Sequence, residues 1–380
     1  MIRLHLPAIP HTITTDEYSH CAFTGKVKRF APMMRSVGFE VYHYGVETSE
    51  SGADKDIEIF TLEEWNSLRI ESLIYLKKAE TANEAKLLLD NKSSFIGDLA
   101  NVSTPLYQEF NKRLQEKLIE NYRDNKTDIV CLPFGHGHNA ALTNKFLAVE
   151  TGIGYPDSYQ SYRIFESQAW LHHQTKQPSN YFFVIPNYFN TAEFIFRPIP
   201  EVRKVGFLGR ISNLKGCHII AEIAKRFPGV EFILCGQGDA SPYLSTNVVY
   251  KEPIHGKERS DFLGSCVATC CISTYIEPFG GATVESQLCG TPVISSDVGG
   301  LTETIEQFKT GLRGHTLADY CKGIQMALDN QFDRQYIRDR AVRLYDMYNI
   351  AREYKSVFYT ILDLYNSNNG WYSPHSYLTQ

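Results

Sequence analysis

Two carboxylates stand eight positions apart in Glu277-Pro278-Phe279-Gly280-Gly281-Ala282-Thr283-Val284-Glu285, with a Gly-Gly pair between them. An apolar run precedes this segment, and a helix-like stretch follows it as far as Gly290, just before Pro292. The pattern predicts a strand-to-helix turn, with Glu277 at its mouth and Glu285 about one turn into the helix. The first N–H groups of a helix have no helical acceptor and attract anions. Such a turn could hold a diphosphate on the N–H groups of Phe279, Gly280 and Gly281, and hydroxylated rings on the two carboxylates.

Three more loops must converge on that turn for it to work as a site. Gly209-Arg210-Ile211-Ser212-Asn213-Leu214-Lys215-Gly216 places a guanidinium and an ammonium five apart between glycines. Arg210 could grip two phosphate oxygens with its planar fork, and Lys215 adds a compact charge. The same residues could also form a solvated basic loop. Gly236-Gln237-Gly238-Asp239 and Asp297-Val298-Gly299-Gly300 are further flexible loops, suited either to close approach of a ligand or simply to turning the chain.

The elements that would carry these loops alternate in type. In the second half, strands are expected at Lys204–Leu208, Val230–Cys235, Cys270–Ile276 and Pro292–Ser296. Helices are expected at Cys217–Phe227, Lys257–Val267, Gly281–Leu288, Leu317–Leu328 and Asp333–Tyr345. In the first half, strands are expected at Arg3–Ala8, Glu40–Val46, Asp128–Phe134 and Tyr181–Pro186. Helices are expected at Lys26–Val37, Thr104–Tyr122 and Ser161–Lys176, with a polar loop over 47–56. A final helix runs over Ile350–Tyr365. This βαβα order implies an α/β protein with two doubly wound, Rossmann-like domains facing a cleft at the carboxyl ends of their strands. The expected division is 1–189 and 190–349, with 350–380 returning to pack on the first domain.

In order and spacing, the G-R-x4-K-G, G-x-G, E-x7-E and G-x-P-V-I-x-S-x-x-G-G segments over 204–305 resemble the donor domain of GT-B retaining glycosyltransferases, nearest to glycosyltransferase family 4. Val184-Ile185-Pro186-Asn187 resembles that family's interdomain strand, and Tyr348–Phe358 its late helix. The resemblance implies transfer of a hexose or related sugar from a UDP- or GDP-linked donor to a hydroxyl, with retention of anomeric configuration. It implies that Gly209, Arg210, Lys215, Gly236, Phe279, Gly280, Gly281 and Thr283 surround the donor. Arg210 and Lys215 would neutralise the diphosphate, Glu277 would contact the transferred sugar and Glu285 the ribose. No obligatory metal and no cofactor beyond the sugar nucleotide is expected. Asp54-Lys55-Asp56 has the letters of a D-x-D motif, but it lies in the polar stretch and reads as solvated.

The first half should bind the acceptor. Phe134-Gly135-His136-Gly137-His138-Asn139-Ala140 follows a strand and opens a helix, so His136 and His138 could face the cleft as catalytic groups or pack elsewhere. Gly135–Ala140 also spells G-x-G-x-x-A, the dinucleotide fingerprint, which leaves a nicotinamide-dependent oxidoreductase as a rival reading. A non-catalytic sugar-nucleotide or glycan-binding module is another. Glu150 could face the cleft as well. The family's Gly-Gly turn after the first strand is absent. Pro7 to Lys26 stands in its place, with Gly25 and Lys26 as candidate acceptor contacts. Lys26, Lys28, Arg29 and Arg35 make residues 25–35 locally basic. That segment could meet a phosphorylated, membrane-borne or nucleic-acid acceptor, or be a solvated face. A glycan, a glycoconjugate or a modified DNA base could receive the sugar, and the oligomeric state is left open.

Composition bounds these readings. The chain has 380 residues, 43% hydrophobic and 21% charged, with a net charge of −5, which suits two ordinary cores and argues against wholesale nucleic-acid binding. Nine cysteines form no C-x-x-C pair, and Cys266, Cys270 and Cys271 read as reduced core thiols, as in a cytoplasmic protein. No signal-peptide pattern opens the sequence, and no apolar stretch is long enough to span a bilayer.

Overall fold

A computed structural model describes residues 1–18, 21–90, 97–177, 179–200 and 203–366. The first half carries the strands β1 (Arg3–Pro7), β2 (Glu40–Val46), β3 (Lys55–Phe60), β4 (Asp128–Leu132), β5 (Ala148–Ile153), β6 (Tyr162–Phe165) and β7 (Phe182–Val184). Its helices are α1 (Ala22–Ser36), α2 (Leu62–Tyr75), α3 (Ala82–Asp90), α4 (Pro105–Asn121), α5 (Gly135–His138) and α6 (Gln168–Gln174). The second half adds β8 (Lys204–Leu208), β9 (Glu231–Cys235), β10 (Val248–Lys251), β11 (Ala268–Cys271), β12 (Val293–Ser296) and β13 (Gly311–Gly314). Its helices are α7 (Cys217–Ala224), α8 (Gly256–Ser265), α9 (Gly281–Leu288), α10 (Leu301–Thr304), α11 (Leu317–Leu328), α12 (Arg334–Tyr345) and α13 (Met347–Asn366).

The strands form two parallel sheets, ordered β3-β2-β1-β4-β5-β6-β7 and β10-β9-β8-β11-β12-β13. In each, the chain order reverses beside the first strand, between β1 and β4 and between β8 and β11. Crevices open at the carboxyl ends of strands at such switch points. The expected α/β class with two doubly wound units is therefore what the chain adopts. β1, β4, β5, β8 and β12 are buried along most of their length, as strands with helices on both faces must be.

The chain crosses between the two units twice, and the crossings hold each other. Phe189 N–H donates to Tyr345 O at 2.9 Å, and Met347 N–H donates to Phe189 O at 2.9 Å. Beyond the second crossing, α13 returns to the first sheet. Ile350, Ala351, Tyr354, Phe358, Ile361 and Leu362 lie on one stripe and are buried. Tyr354 and Phe358 meet Phe30 of α1 edge-on, with ring centroids 5.4 and 6.4 Å away, and Phe358 also meets Phe39. Lys355 caps α1 by donating to Val37 O at 2.8 Å. The remainder of the expected 350–380 segment, 367–380, lies outside the described residues.

β3, β5, β10, β13, α2 and α3 are not among the expected elements, and three expected segments differ in local structure. The expected helix over Ser161–Lys176 is a strand and a helix, β6 then α6. Its boundary is Ser167, whose hydroxyl caps α6 by accepting from Trp170 N–H at 3.0 Å. The polar stretch 47–56 ends inside β3. Asp54 and Asp56 are engaged rather than merely solvated: Asp54 accepts from Val41 N–H and Arg35, and Asp56 from His43 and Ser51. The expected strand Cys270–Ile276 stops at Cys271, because Thr274 N–H turns away to donate to Leu214 O at 2.9 Å.

Among the described residues no helix is long and apolar enough to cross a membrane. Phe358→Ala removes a fully buried ring from the contact between α13 and the first sheet. It should cost about 3–5 kcal/mol, read as an earlier urea midpoint of the first unit; an unchanged midpoint would show that α13 does not hold that core.

Candidate active site

The loops after β8, β9, β11 and β12 touch one another backbone to backbone, and missing side chains permit it. A Cβ on Gly236 would lie 1.9 Å from Gly209 O, and one on Gly299 would lie 2.4 Å from Glu277 O. Both glycines have positive φ, which most other residues avoid. Hydrogen bonds fasten the same junctions: Gly209 N–H to Cys235 O at 3.0 Å, Ile211 N–H to Gln237 O at 2.7 Å, and Gly300 N–H to Glu277 O at 2.7 Å. Four separate loops thus make one continuous cup at the carboxyl edge of the second sheet.

Inside this cup, Lys215 Nζ lies 2.8 Å from Glu277 Oε2 and 3.1 Å from Oε1. Ser273 Oγ donates to the same Oε2 at 2.7 Å, and Lys215 stands over the Tyr275 ring at 4.9 Å. Desolvation draws the Lys215 pKa down. The charges of Glu277, Tyr275 and Cys271 and the hydrogen bond to Glu277 together outweigh it, so the pKa ends above the ordinary lysine value. Burial, with the charge of Glu277 as the second cause, pushes the Tyr275 phenol up to about 12. Arg210 is exposed on the same loop as Lys215.

The glycine pair starts α9: Gly280, at φ 86°, caps the helix and Gly281 is its first residue. Phe279 is buried against Tyr345, so its backbone alone is available to a ligand. Thr283, expected near the donor, is instead buried, and its hydroxyl donates back to Gly280 O at 2.6 Å. Glu285 lies 3.1 Å from the Arg259 guanidinium of α8, which leaves carboxylate lone pairs open. Arg259 stands over Phe194.

The first unit treats its expected site residues differently. Gly25 is buried within α1. Lys26 is buried, donates to Gly152 O at 2.9 Å, pairs with buried Glu166 and rests on the Phe23 ring. Lys28 pairs with Asp16, Arg29 donates to Tyr188 O, and Arg35 pairs with Asp54. The basic segment 25–35 is therefore neither a row of free acceptor contacts nor an open cationic face for a membrane or nucleic acid.

Glu150 is wholly buried rather than in the cleft. Its carboxylate accepts from Tyr155 OH at 2.8 Å, Tyr159 N–H at 2.7 Å and Gln160 N–H at 2.6 Å. The same carboxylate fills the space above Gly135, where a Cβ would sit 2.3 Å from Oε2. A dinucleotide pyrophosphate must approach the backbone of its fingerprint glycines. Here an anion already occupies that side of Gly135, so the G-x-G-x-x-A reading fails. His138 is buried as well, packed near Phe110, and neither ring nitrogen has a partner among the described residues. Burial lowers its pKa to about 3. His136 is exposed on the short α5. Among the described residues, no three His, Cys, Asp or Glu side chains gather as a metal site.

Sequence reasoning missed Ser273, four residues before its partner Glu277, and Arg259, whose partner Glu285 lies on the next helix. It also missed Ser167, although a serine before Gln-Ala-Trp is a legible helix start.

Comparison with known proteins bears on the cup. Residues 191–343 match the profile described as Glycosyl transferases group 1. Over 147 residues, 34% of this chain, the sequence is 32% identical to the D-inositol 3-phosphate glycosyltransferase of Mycobacterium tuberculosis (strain ATCC 25177 / H37Ra). Over 158 residues, 37% of this chain, it is 28% identical to the enzyme of that name from Mycolicibacterium smegmatis. The matches span 30% and 36% of those relatives, so the chain covers about a third of their length. Sucrose-phosphate synthase from Thermosynechococcus elongatus superposes with a TM-score of 0.66 over 95% of this chain and 99% of its own, at 16% identity. Anabaena HepE, solved with UDP-glucose, gives 0.58 over 95% and 100%, at 15% identity. These likenesses establish the GT-B fold, and the group 1 match falls on the part that carries the cup.

Two titrations test this geometry. Glu277→Gln should lower the Lys215 pKa, read from the Nζ signal by NMR; an unchanged value would mean that Glu277 does not set the charge. His138 has a folded pKa below its unfolded value of 6.5, so the unfolded chain binds the extra proton between about 6.5 and 3. Its contribution to stability is present above the upper value and lost as pH falls toward the lower. His138→Leu should flatten that acid loss in denaturant midpoints; an identical pH profile would place the histidine elsewhere.

Proposed function

We propose that this chain is a glycosyltransferase that moves a sugar from a nucleotide diphosphate donor to a hydroxyl, with retention of configuration. The carrying observation is the Lys215–Glu277 pair beside the start of α9, within a domain of the group 1 family. The donor diphosphate would lie between Lys215, Arg210 and the first N–H groups of α9. Glu277 would turn to hydroxyls of the transferred sugar, and Glu285 would accept from the ribose.

Breaking the sugar–phosphate bond builds positive charge at the anomeric carbon and negative charge on the departing diphosphate. The first has the oxocarbenium character seen in glycoside hydrolysis. The second is met by fixed cations and backbone dipoles that need no rearrangement as charge develops. In this reading the cations are borne by the protein itself, and the sugar nucleotide is a co-substrate. The acceptor attacks from the face the diphosphate leaves, and a phosphate oxygen takes its proton, so no side-chain nucleophile is required. UDP or GDP is the expected nucleotide. A glycan or glycoconjugate is the expected acceptor.

A hydrolysis screen across UDP-, GDP- and ADP-sugars without acceptor should reveal the donor, since transferases of this kind leak slowly to water. A bound nucleotide at about 100 times its Kd should add about 2.7 kcal/mol of stability, visible as a raised melting temperature. Lys215→Ala and Glu277→Ala should each lower turnover by about 100- to 1,000-fold with the fold intact. Wild-type turnover by either variant at saturating donor would overturn the assigned roles.

A further inference from the structure

α6 is short, and its first-turn N–H groups have no helical acceptors of their own. Ser167 Oγ satisfies Trp170 N–H at 3.0 Å. The next two are satisfied from the other domain: Gln168 N–H donates to Glu303 Oε2 at 3.1 Å, and Ala169 N–H donates to Oε1 at 2.8 Å. A carboxylate at a helix start also gains from the backbone dipoles. Ser167 is itself buried, and its hydroxyl donates across the domains to Pro278 O at 2.5 Å.

The recipients of these bonds matter. Pro278 follows Glu277 directly, and its carbonyl is backed by Gly300, where a Cβ would sit 2.6 Å from Pro278 O. Glu303 belongs to α10, which begins straight after that glycine. The start of α6 therefore grips the loop that carries Glu277, through a backbone carbonyl, and the helix that follows the neighbouring loop, through a carboxylate.

We infer that Ser167 and Glu303 are positioning residues, which clamp the first domain onto the Glu277 loop and set the spacing between the two walls of the cleft. The inference rests on the proposed transfer only for its catalytic consequence, since acceptor and donor sit on opposite walls in that reading. The clamp itself is a statement about domain arrangement.

The test uses the full chain and three variants: Glu303→Ala, Ser167→Ala with Glu303→Ala, and Ser167→Thr. Glu303 is exposed, so its loss leaves both cores untouched; Ser167→Thr keeps the hydroxyl and the helix cap. Small-angle scattering without ligand should show a larger radius of gyration for the double variant than for wild type, with Ser167→Thr unchanged. The ratio of acceptor-dependent transfer to donor hydrolysis should fall by about 10- to 100-fold in the double variant, as misplacement of reacting groups predicts. The donor KM should stay near wild type, because the donor loops remain intact. A scattering curve for the double variant that superimposes on wild type overturns the clamp, whatever the turnover. An expanded curve in a protein that turns over no sugar nucleotide supports the clamp and overturns the transfer reading instead.

Discussion

An ammonium and a carboxylate 2.8 Å apart depend on the loops that carry them being unable to drift. Lys215 and Glu277 lie 62 residues apart in sequence, on loops after different strands. What holds them is contact between main chains: Thr274 N–H donates to Leu214 O at 2.9 Å, and a Cβ on Gly216 would lie 2.0 Å from Ile272 O. A side chain at Gly216 would push the Lys215 loop away from the segment that leads to Glu277. The electrostatics of the cup are thus a consequence of sterics. Once the loops are fixed, partial burial of Lys215 strengthens its attraction to Glu277 rather than discharging it.

This explains which parts of the chain were legible in advance. The cup is written in residues whose roles follow from local spacing: glycines where loops meet, a guanidinium and an ammonium five apart, a helix starting at a glycine pair. Lys215, Glu277 and the α9 start were readable because their geometry is set within a few residues of each motif. Lys26, Glu150 and His138 were misread for the opposite reason. Lys26 finds Glu166 across 140 residues, and Glu150 spends its carboxylate on Tyr155, Tyr159 and Gln160. A polar residue at the end of a parallel strand looks the same in sequence whether it faces a ligand or braces the next loop. The β6–α6 boundary was lost because Tyr-Arg-Ile-Phe fits either period in so short a run.

The Glu150 bracing also separates two readings that share a pattern of glycines. A phosphate-binding turn needs open N–H groups and an unfilled side above its glycines. Gly135 has its side filled by a carboxylate, whereas Gly281 has nothing nearer to an added Cβ than Phe189 at 3.9 Å. Both segments follow a strand and open a helix, and both are glycine-rich. Only the second presents free space to an anion, and it is the second that carries the flanking acids and lies beside Lys215.

The two domains are joined by chain crossings at Phe189 and near Asp346, hydrogen-bonded to each other. Paired crossings of this kind make a narrow hinge, which permits rotation but does not specify where rotation should stop. The stop has to come from contacts away from the hinge. The start of α6 supplies three hydrogen bonds, one to the Glu277 loop at Pro278 O and two to Glu303 of α10. In the proposed transfer, the same spacing would govern whether water or an acceptor reaches the anomeric carbon. The start of α6 is where the first domain is fastened to the Glu277 loop and to α10.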